Sequence, residues 1–462
     1  MTDCFATRSN ARTVPVDTVT TEGYRSWLKS QSKSTQAWLK SLDFRPDVGK
    51  VALCPGRDGT LARVVLGLGR APDLWAFAVL RDRVPKGRYR YEGLAAEHAD
   101  TAALAWALAS YRYLRYRKSP PEADKNPPTL VWPAHCDRAA VQRTFEAIAM
   151  ARDLINTPAG DLGPAELAGA VEDLAARHGA TYSVIVGDDL LDEGYPAIHA
   201  VGRAATRPPC LAQLRWGDEG APSLTLVGKG VCFDSGGLDL KNASGMKLMK
   251  KDMGGAASVL ALAHMVMDAG LPLRLRLLVP AVENAVSGNA FRPGDVLPTR
   301  KGITVEVGNT DAEGRLILCD ALAEAASEEP DLLIDFATLT GAARVALGTE
   351  LPALFCNDDR FADRTLDAGL RVHDPLWRMP LHRDYRRHLD SKIADINNIA
   401  NVGFGGAITA ALFLQEFVPQ RQRWAHVDTM AWNSSSRPGR PAGGEVFGTR
   451  AFFDAIRATL VP

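Results

Sequence analysis

The chain has little of what would commit it to a specialised class. Its 462 residues include only seven cysteines, at positions Cys4, Cys54, Cys136, Cys210, Cys232, Cys319 and Cys356. The count is odd, the spacing is scattered and no C-x-x-C occurs. That excludes a disulfide framework and a zinc ribbon, and it points to a reducing compartment. Neither sign of charge is in excess, since 54 Lys and Arg face 54 Asp and Glu. A dedicated nucleic-acid binder carries a basic surplus, so that class is disfavoured. No apolar run reaches about 18 residues, so no membrane span is expected. The first twenty residues, MTDCFATRSNARTVPVDTVT, lack the apolar stretch of a secretory signal. The expected location is the cytoplasm. Three catalytic signatures are also missing: H-E-x-x-H, G-x-S-x-G and G-x-x-x-x-G-K-[ST].

What is present is ordinary globular composition, 46% hydrophobic and 23% charged, which rules out disorder and collagen-like repeats. One core rarely exceeds roughly 250–300 residues, so two domains are expected. Residues 1–50 read as mixed helix and loop. In 51–80 the short apolar blocks VALC, ARVVLGLG and LWAFAVL read as strands joined by turns. Residues 93–118 read as one long helix. Its basic end (Arg112, Arg115, Arg117, Lys118) suits the negative end of the helix dipole better than a nucleic-acid patch. The proline-rich 119–128 is a loop, followed by strand TLVW and a helix over 138–155, with the domain junction near 135–160.

From there strands and helices alternate. The segments 223–228, 273–282, 302–307, 331–340, 351–356 and 423–432 read as strands. Helices are expected over 255–270, 315–329 and 406–418. The alternation argues for an α/β sheet covered by helices. His264 and His426 read as core histidines.

Two stretches concentrate chemistry: VGKGVCFDSGGLDLKNASGMKLMKKDMGG (227–255) and NTDAEGRL (309–316). Each follows an expected strand and precedes an expected helix, so both should reach one edge of the sheet, where α/β proteins bind ligands. Together they supply Asp234, Asp252, Asp311 and Glu313. Four carboxylates in one pocket cannot all stay ionised without cations. Hard oxygen donors of this kind suit Mg²⁺ or Mn²⁺, and Zn²⁺ accepts them too. A pair of ions about 3.5–4 Å apart would be bridged well by such a set. Taken separately, each acid also fits an ordinary turn, a solvated charge or the start of a helix.

At these residues the sequence resembles the leucine aminopeptidase family of two-metal exopeptidases. The blocks are VGKGVCFDSGG (227–237), Lys241 in LDLK, MKLMKKDMGGAA (246–257) and NTDAEGRL (309–316). They are supported by ARDLINTPAG (151–160), SGNAFRPGDVL (287–297), ATLTGA (337–342) and NVGFGGAITAALFL (401–414). The resemblance implies a smaller, variable N-terminal α/β domain, 1–145. It also implies a larger catalytic α/β domain, 146–462, with a mixed central sheet flanked by helices.

By position it makes Lys229, Asp234, Asp252, Asp311 and Glu313 the ligands of two divalent ions, manganese or zinc with magnesium a further candidate. Asp234 and Glu313 bridge them. Lysine ligates only when neutral, so this ligand enters through the resemblance alone. Lys241 and Arg315 match the catalytic positions. A metal-bridging hydroxide would attack the first peptide bond, Lys241 would stabilise the resulting anion, and Arg315 would hold bicarbonate as general base. Met249 and Thr338 match the lining of the pocket for the first side chain. Asn309, Leu339 and Gly341 match positions around substrate and anion.

The implied activity is a leucyl aminopeptidase preferring leucine-like first residues, acting on peptides as a homohexamer. After AHVDTMAW the chain departs from the family's Lys-Gly-x-Thr-Gly-Arg-Pro-like stretch and reads NSSSRPGRPAGGEVFGTRAFF. Two other functions are weighed: a DNA-binding regulator on the same scaffold, and a different two-metal hydrolase such as a phosphoesterase.

Overall fold

The computed structural model describes residues 4–119, 121 and 126–461. Positions 120 and 122–125 of the proline-rich loop lie outside the described residues. The chain divides into two compact units, Met1–Ala149 with Ser435–Ala442, and Met150–Ser434 with Gly443–Pro462. No helix among the described residues is long and apolar enough to cross a membrane.

The smaller unit is built on a six-stranded mixed sheet. Its strand order is Phe5–Ala6, Thr129–Val131, Arg88–Glu92, Thr13–Thr20, Leu61–Gly69 and Val51–Pro55. Three sequence expectations fail here. The first fifty residues contain Thr13–Thr20, paired in parallel on both sides, although Pro15 interrupts its pattern. LWAFAVL is not a strand but part of helix Leu74–Arg83, which begins where Asp73 accepts a 2.6 Å hydrogen bond from the Ala76 N–H. Six residues of this helix are buried, and an apolar run buried all round shows neither helical nor strand periodicity.

The third failure is the long helix. It stops at Ser110, because Tyr111 turns to extended backbone. Arg112, Arg115, Arg117 and Lys118 therefore lie beyond its end. Arg112 still reaches back, its Nη1 donating to the Ala109 carbonyl at 2.8 Å and its Nη2 lying 3.2 Å from Asp82.

The larger unit holds a nine-stranded mixed sheet. The order is Trp377–Arg378, Ala353–Cys356, Trp424–Asp428, Leu332–Ala337, Ser223–Gly228, Arg274–Asn284, Cys210–Trp216 and Thr181–Val186, with Gly230–Asp234 also paired to Arg274–Asn284. Its centre is parallel and mostly apolar, as a sheet covered on both faces requires, with Asp335 and His426 as buried polar exceptions. Helix Gly254–Asp268 is buried from Gly254 through Met267, which explains its weak amphipathic pattern. Helix Glu313–Ser327 shares a core with Val227, Leu333 and Trp424 of the sheet. His264 and His426 are both fully buried.

The parallel centre sets up the site. Gly228, Asp234, Asn284, Ala337 and Asp428 are the last residues of five neighbouring strands, so the loops that follow them gather at one edge. One detail differs from the sequence reading. The strand preceding NTDAEGRL, Thr304–Glu306, belongs to a separate three-stranded sheet with Val296–Pro298 and Ile396–Asn397. The motif reaches the same edge from outside the main sheet.

Candidate metal centre

Lys229 follows directly on strand Ser223–Gly228 and is 3% exposed. Its Nζ lies 2.8 Å from Asp252 Oδ2 and 3.0 Å from Glu313 Oε1, and it donates to the Thr338 carbonyl at 2.9 Å. Asp252 sits in the 3₁₀ turn Met249–Met253, and Glu313 opens helix Glu313–Ser327, where the dipole favours an acid. Gly314 is required beside it, because a Cβ there would come within 2.5 Å of Lys229 Cε.

Asp234, Asp252 and Glu313 are all buried, and one oxygen of each lies within 4.8 Å of the others. Asp311 joins through Lys241. That ammonium lies 2.8 Å from Asp234 Oδ2 and also pairs with Asp311 Oδ1. All five expected ligands thus converge, together with Lys241.

The electrostatics follow from burial. Glu313 is pushed up to about 8, first by loss of solvent and then by Asp234. Burial works against the charge on Lys229, but Asp252, Glu313 and Asp234 outweigh it and raise its pKa. Lys241 is raised likewise, with Asp234 overcoming its burial.

The donor set fits divalent cations. It is a cluster of hard oxygens, and among the described residues buried Glu313 Oε2 has no hydrogen-bond partner. A lysine ligand would have to give up its proton, and a nearby dication favours that.

The remaining expected residues fall into two groups. Met249, Thr338, Leu339 and Gly341 line, with the acids, a cleft of about 620 Å³. Thr338 Oγ donates to Asp252 Oδ1 at 2.8 Å, so it orients a candidate ligand as well as lining the cleft. Asn309 and Arg315 are not part of that lining. Asn309 Oδ1 accepts from the Asp311 N–H at 2.7 Å and shapes the ligand turn. Arg315 is 8% exposed, donates to the Asn398 carbonyl at 2.5 Å, and is lowered to about 10 by burial.

Several residues that support this arrangement were not read from the sequence. Asn284 Nδ2 donates to Asp234 Oδ1 at 2.9 Å and to the Thr310 carbonyl at 3.0 Å. Asp428 Oδ1 accepts the N–H groups of Leu339 and Thr340 at 3.0 and 3.1 Å. Thr310 Oγ donates to the Gly236 carbonyl at 2.6 Å and accepts from the Asp239 N–H at 2.9 Å. Gly236, at φ +89°, makes that turn; a Cβ there would meet the Asp239 carbonyl at 2.5 Å. The available signal was position alone, since Asn284 and Asp428 are polar residues ending apolar strands.

Residues 149–453 match the family model described as the cytosol aminopeptidase family, catalytic domain. The chain belongs to the cytosol aminopeptidase family. Residues 14–126 match the N-terminal domain of M17 aminopeptidases, in keeping with a small N-terminal domain and a larger catalytic one. A probable cytosol aminopeptidase of Chlorobium limicola is 43% identical over 311 residues, 67% of this chain. That match spans only 62% of the relative's own length. One from Rhodococcus opacus is 41% identical over 358 residues, 74% of this chain and 71% of that protein.

Among solved structures, the cytosol aminopeptidase of Coxiella burnetii superposes with a TM-score of 0.93 at 48% identity, covering 99% of this chain and 100% of that one. The bottromycin maturation enzyme BotP in complex with Mn gives 0.87 at 36% identity, covering 97% and 99%.

Proposed function

We propose that this family member is a metal-dependent aminopeptidase that releases the first residue of peptides, leucine-like residues among them, in the cytoplasm. The observation that carries the reading is the buried set of Asp234, Asp252 and Glu313, with Lys229 between two of them. That BotP, 36% identical, is found in complex with Mn supports a metal in this chain too.

Lys229, Asp234, Asp252, Asp311 and Glu313 would hold two divalent ions, manganese or zinc, which when bound would supply Lewis acidity and lower the pKa of water. The chain's own groups do the rest. Lys241, already beside Asp234 and Asp311, presents an ammonium to the negative charge that develops on the scissile carbonyl oxygen. Arg315, whose Nε has no hydrogen-bond partner among the described residues, would hold a small planar anion such as bicarbonate, which would serve as proton acceptor. Asp428 fixes the backbone of Leu339 and Thr340, and so the wall along which the peptide lies. Met249, Leu248, Leu351 and Met430 give the cleft apolar walls for a leucine-like side chain. An apolar pocket discriminates by only about 1–3 kcal/mol per methylene, so the preference is broad.

The test is hydrolysis of leucine amide after chelation and re-addition of Mn²⁺, Zn²⁺ or Mg²⁺. Turnover that returns with metal supports the reading, and turnover indifferent to chelator overturns it. The family resemblance further supports a homohexamer. Sedimentation at six times the 49.8 kDa chain mass is the expected result.

A further inference from the structure

The cleft carries positive charge that the metal chemistry does not use. Lys229 and Lys241 are engaged with the four acids. Two other cations line the same cleft, Lys251 and Arg344. Lys251 is only 5% exposed. Among the described residues no carboxylate lies within ion-pair distance of either, and no hydrogen bond of the Lys251 ammonium is found.

The nearby acids are already committed. Asp252 takes Lys229 and Thr338. Asp428 takes the Leu339 and Thr340 N–H groups on one oxygen and the Thr340 hydroxyl on the other, at 2.6 Å. Arg344 rests on Met430, its Nη1 3.6 Å from the thioether sulfur. Burial lowers the pKa of Lys251, and the nearby charges of Lys229 and Arg344 lower it further against Asp252 and Asp428. A buried ammonium without a counter-ion is costly, and a second cation beside it adds repulsion. Such a pair is stabilised by an incoming anion.

The position of the pair selects the anion. Lys251 lies two residues from Met249, and Arg344 lies three from Gly341 on helix Gly341–Leu347. Both share the cleft with Thr338 and Met430, on the wall read as the pocket for the first side chain. Apolar walls that lead to two unpaired cations match a side chain with methylenes and a terminal carboxylate. We infer that this pocket accepts an acidic first residue, glutamate above all, with its carboxylate set between Lys251 and Arg344. The inference rests on the aminopeptidase reading and deepens it. The same charges disfavour lysine or arginine as first residue.

The experiment compares glutamyl, leucyl and lysyl p-nitroanilides on the manganese-loaded full chain. These substrates lack a C-terminal carboxylate, so a glutamyl preference reports the side chain. Adding leucyl-glycine tests whether the cations hold a dipeptide's C-terminus instead. The expected result is glutamyl kcat/KM within about tenfold of leucyl, and lysyl at least about tenfold below both. Arg344 is exposed, so its variants test the idea without threatening the core.

Arg344→Met should lower the glutamyl-to-leucyl ratio of kcat/KM at least about tenfold, mostly through KM, and Lys251→Met should do the same. Arg344→Glu should shift the preference toward the lysyl substrate. Leucyl turnover with no glutamyl turnover overturns the inference and spares the aminopeptidase. A ratio unmoved in both Met variants overturns it too, as does an effect confined to leucyl-glycine. A wild-type protein inert on every substrate overturns the aminopeptidase reading and this inference with it.

Discussion

Two groups of buried acids in the larger unit are built in opposite ways. In mid-sheet, Asp335 is fully buried, yet both of its oxygens are taken. His426 Nδ1 lies 2.6 Å from one, and Trp424 Nε1 donates to the other at 2.8 Å. At the edge where the strands end, Glu313 is just as buried, but among the described residues its Oε2 has no hydrogen-bond partner, and Asp234 and Asp252 crowd it alongside Lys229. In the first group both oxygens of the acid are filled, and it specifies the core. The second keeps an open oxygen and more acids than the two lysines beside them can balance, so entering cations stabilise it further. Burial alone therefore does not mark a functional acid; unfilled hydrogen-bonding capacity next to like charge does.

The contrast can be broken most directly with paired substitutions. Glu313→Ala should abolish metal-dependent hydrolysis of leucine amide while leaving the chelated protein at least as heat-stable as wild type. Retained turnover would remove Glu313 from the site. Asp335→Ala should do the reverse and cost about 3–5 kcal/mol in urea unfolding, because it strands buried partners. A change below about 1 kcal/mol would show that those filled oxygens matter little to the core.

Asp320 sharpens the point. Its carboxylate accepts the N–H groups of Ala197, Ile198 and Arg300, at 2.7, 3.3 and 2.8 Å, but burial still lifts it to about 6. Its folded pKa exceeds the ordinary carboxylate value, so the folded state binds more protons between about pH 4 and 6. This group's contribution to stability therefore falls by about 3 kcal/mol as pH rises through that window and is flat above it. Asp320→Asn should remove that slope from urea unfolding measured across the window. The smallest effect is manganese at 100 times its Kd, which should raise wild-type stability by about 2.7 kcal/mol and that of Glu313→Ala by less. An equal rise in both would place the metal elsewhere.

The same contrast explains what the sequence revealed. Long or short apolar runs bounded by turn residues, such as Gly254–Asp268 and Ser223–Gly228, were legible from their length and flanks, and so were the acids of the two motifs, because motif spacing survives without knowledge of contacts. Helix Leu74–Arg83 was misread because its burial erases the periodicity that tells helix from strand. Thr13–Thr20 was missed because Pro15 argues against a central strand, yet the parallel ladder accommodates it. The supports of the site, Asn284, Thr310, Asn398 and Asp428, are single polar residues whose partners lie 26 to 90 positions away. No local spacing announces such pairs.

Thr310 carries a consequence of its own. One hydroxyl ties the turn at Gly236–Asp239 to the turn that carries Asp311 and Glu313. Segments some seventy positions apart along the chain are thereby fastened into a single rigid body. Heat, denaturant or mutation should then release both turns in one event, so the centre exists whole or not at all.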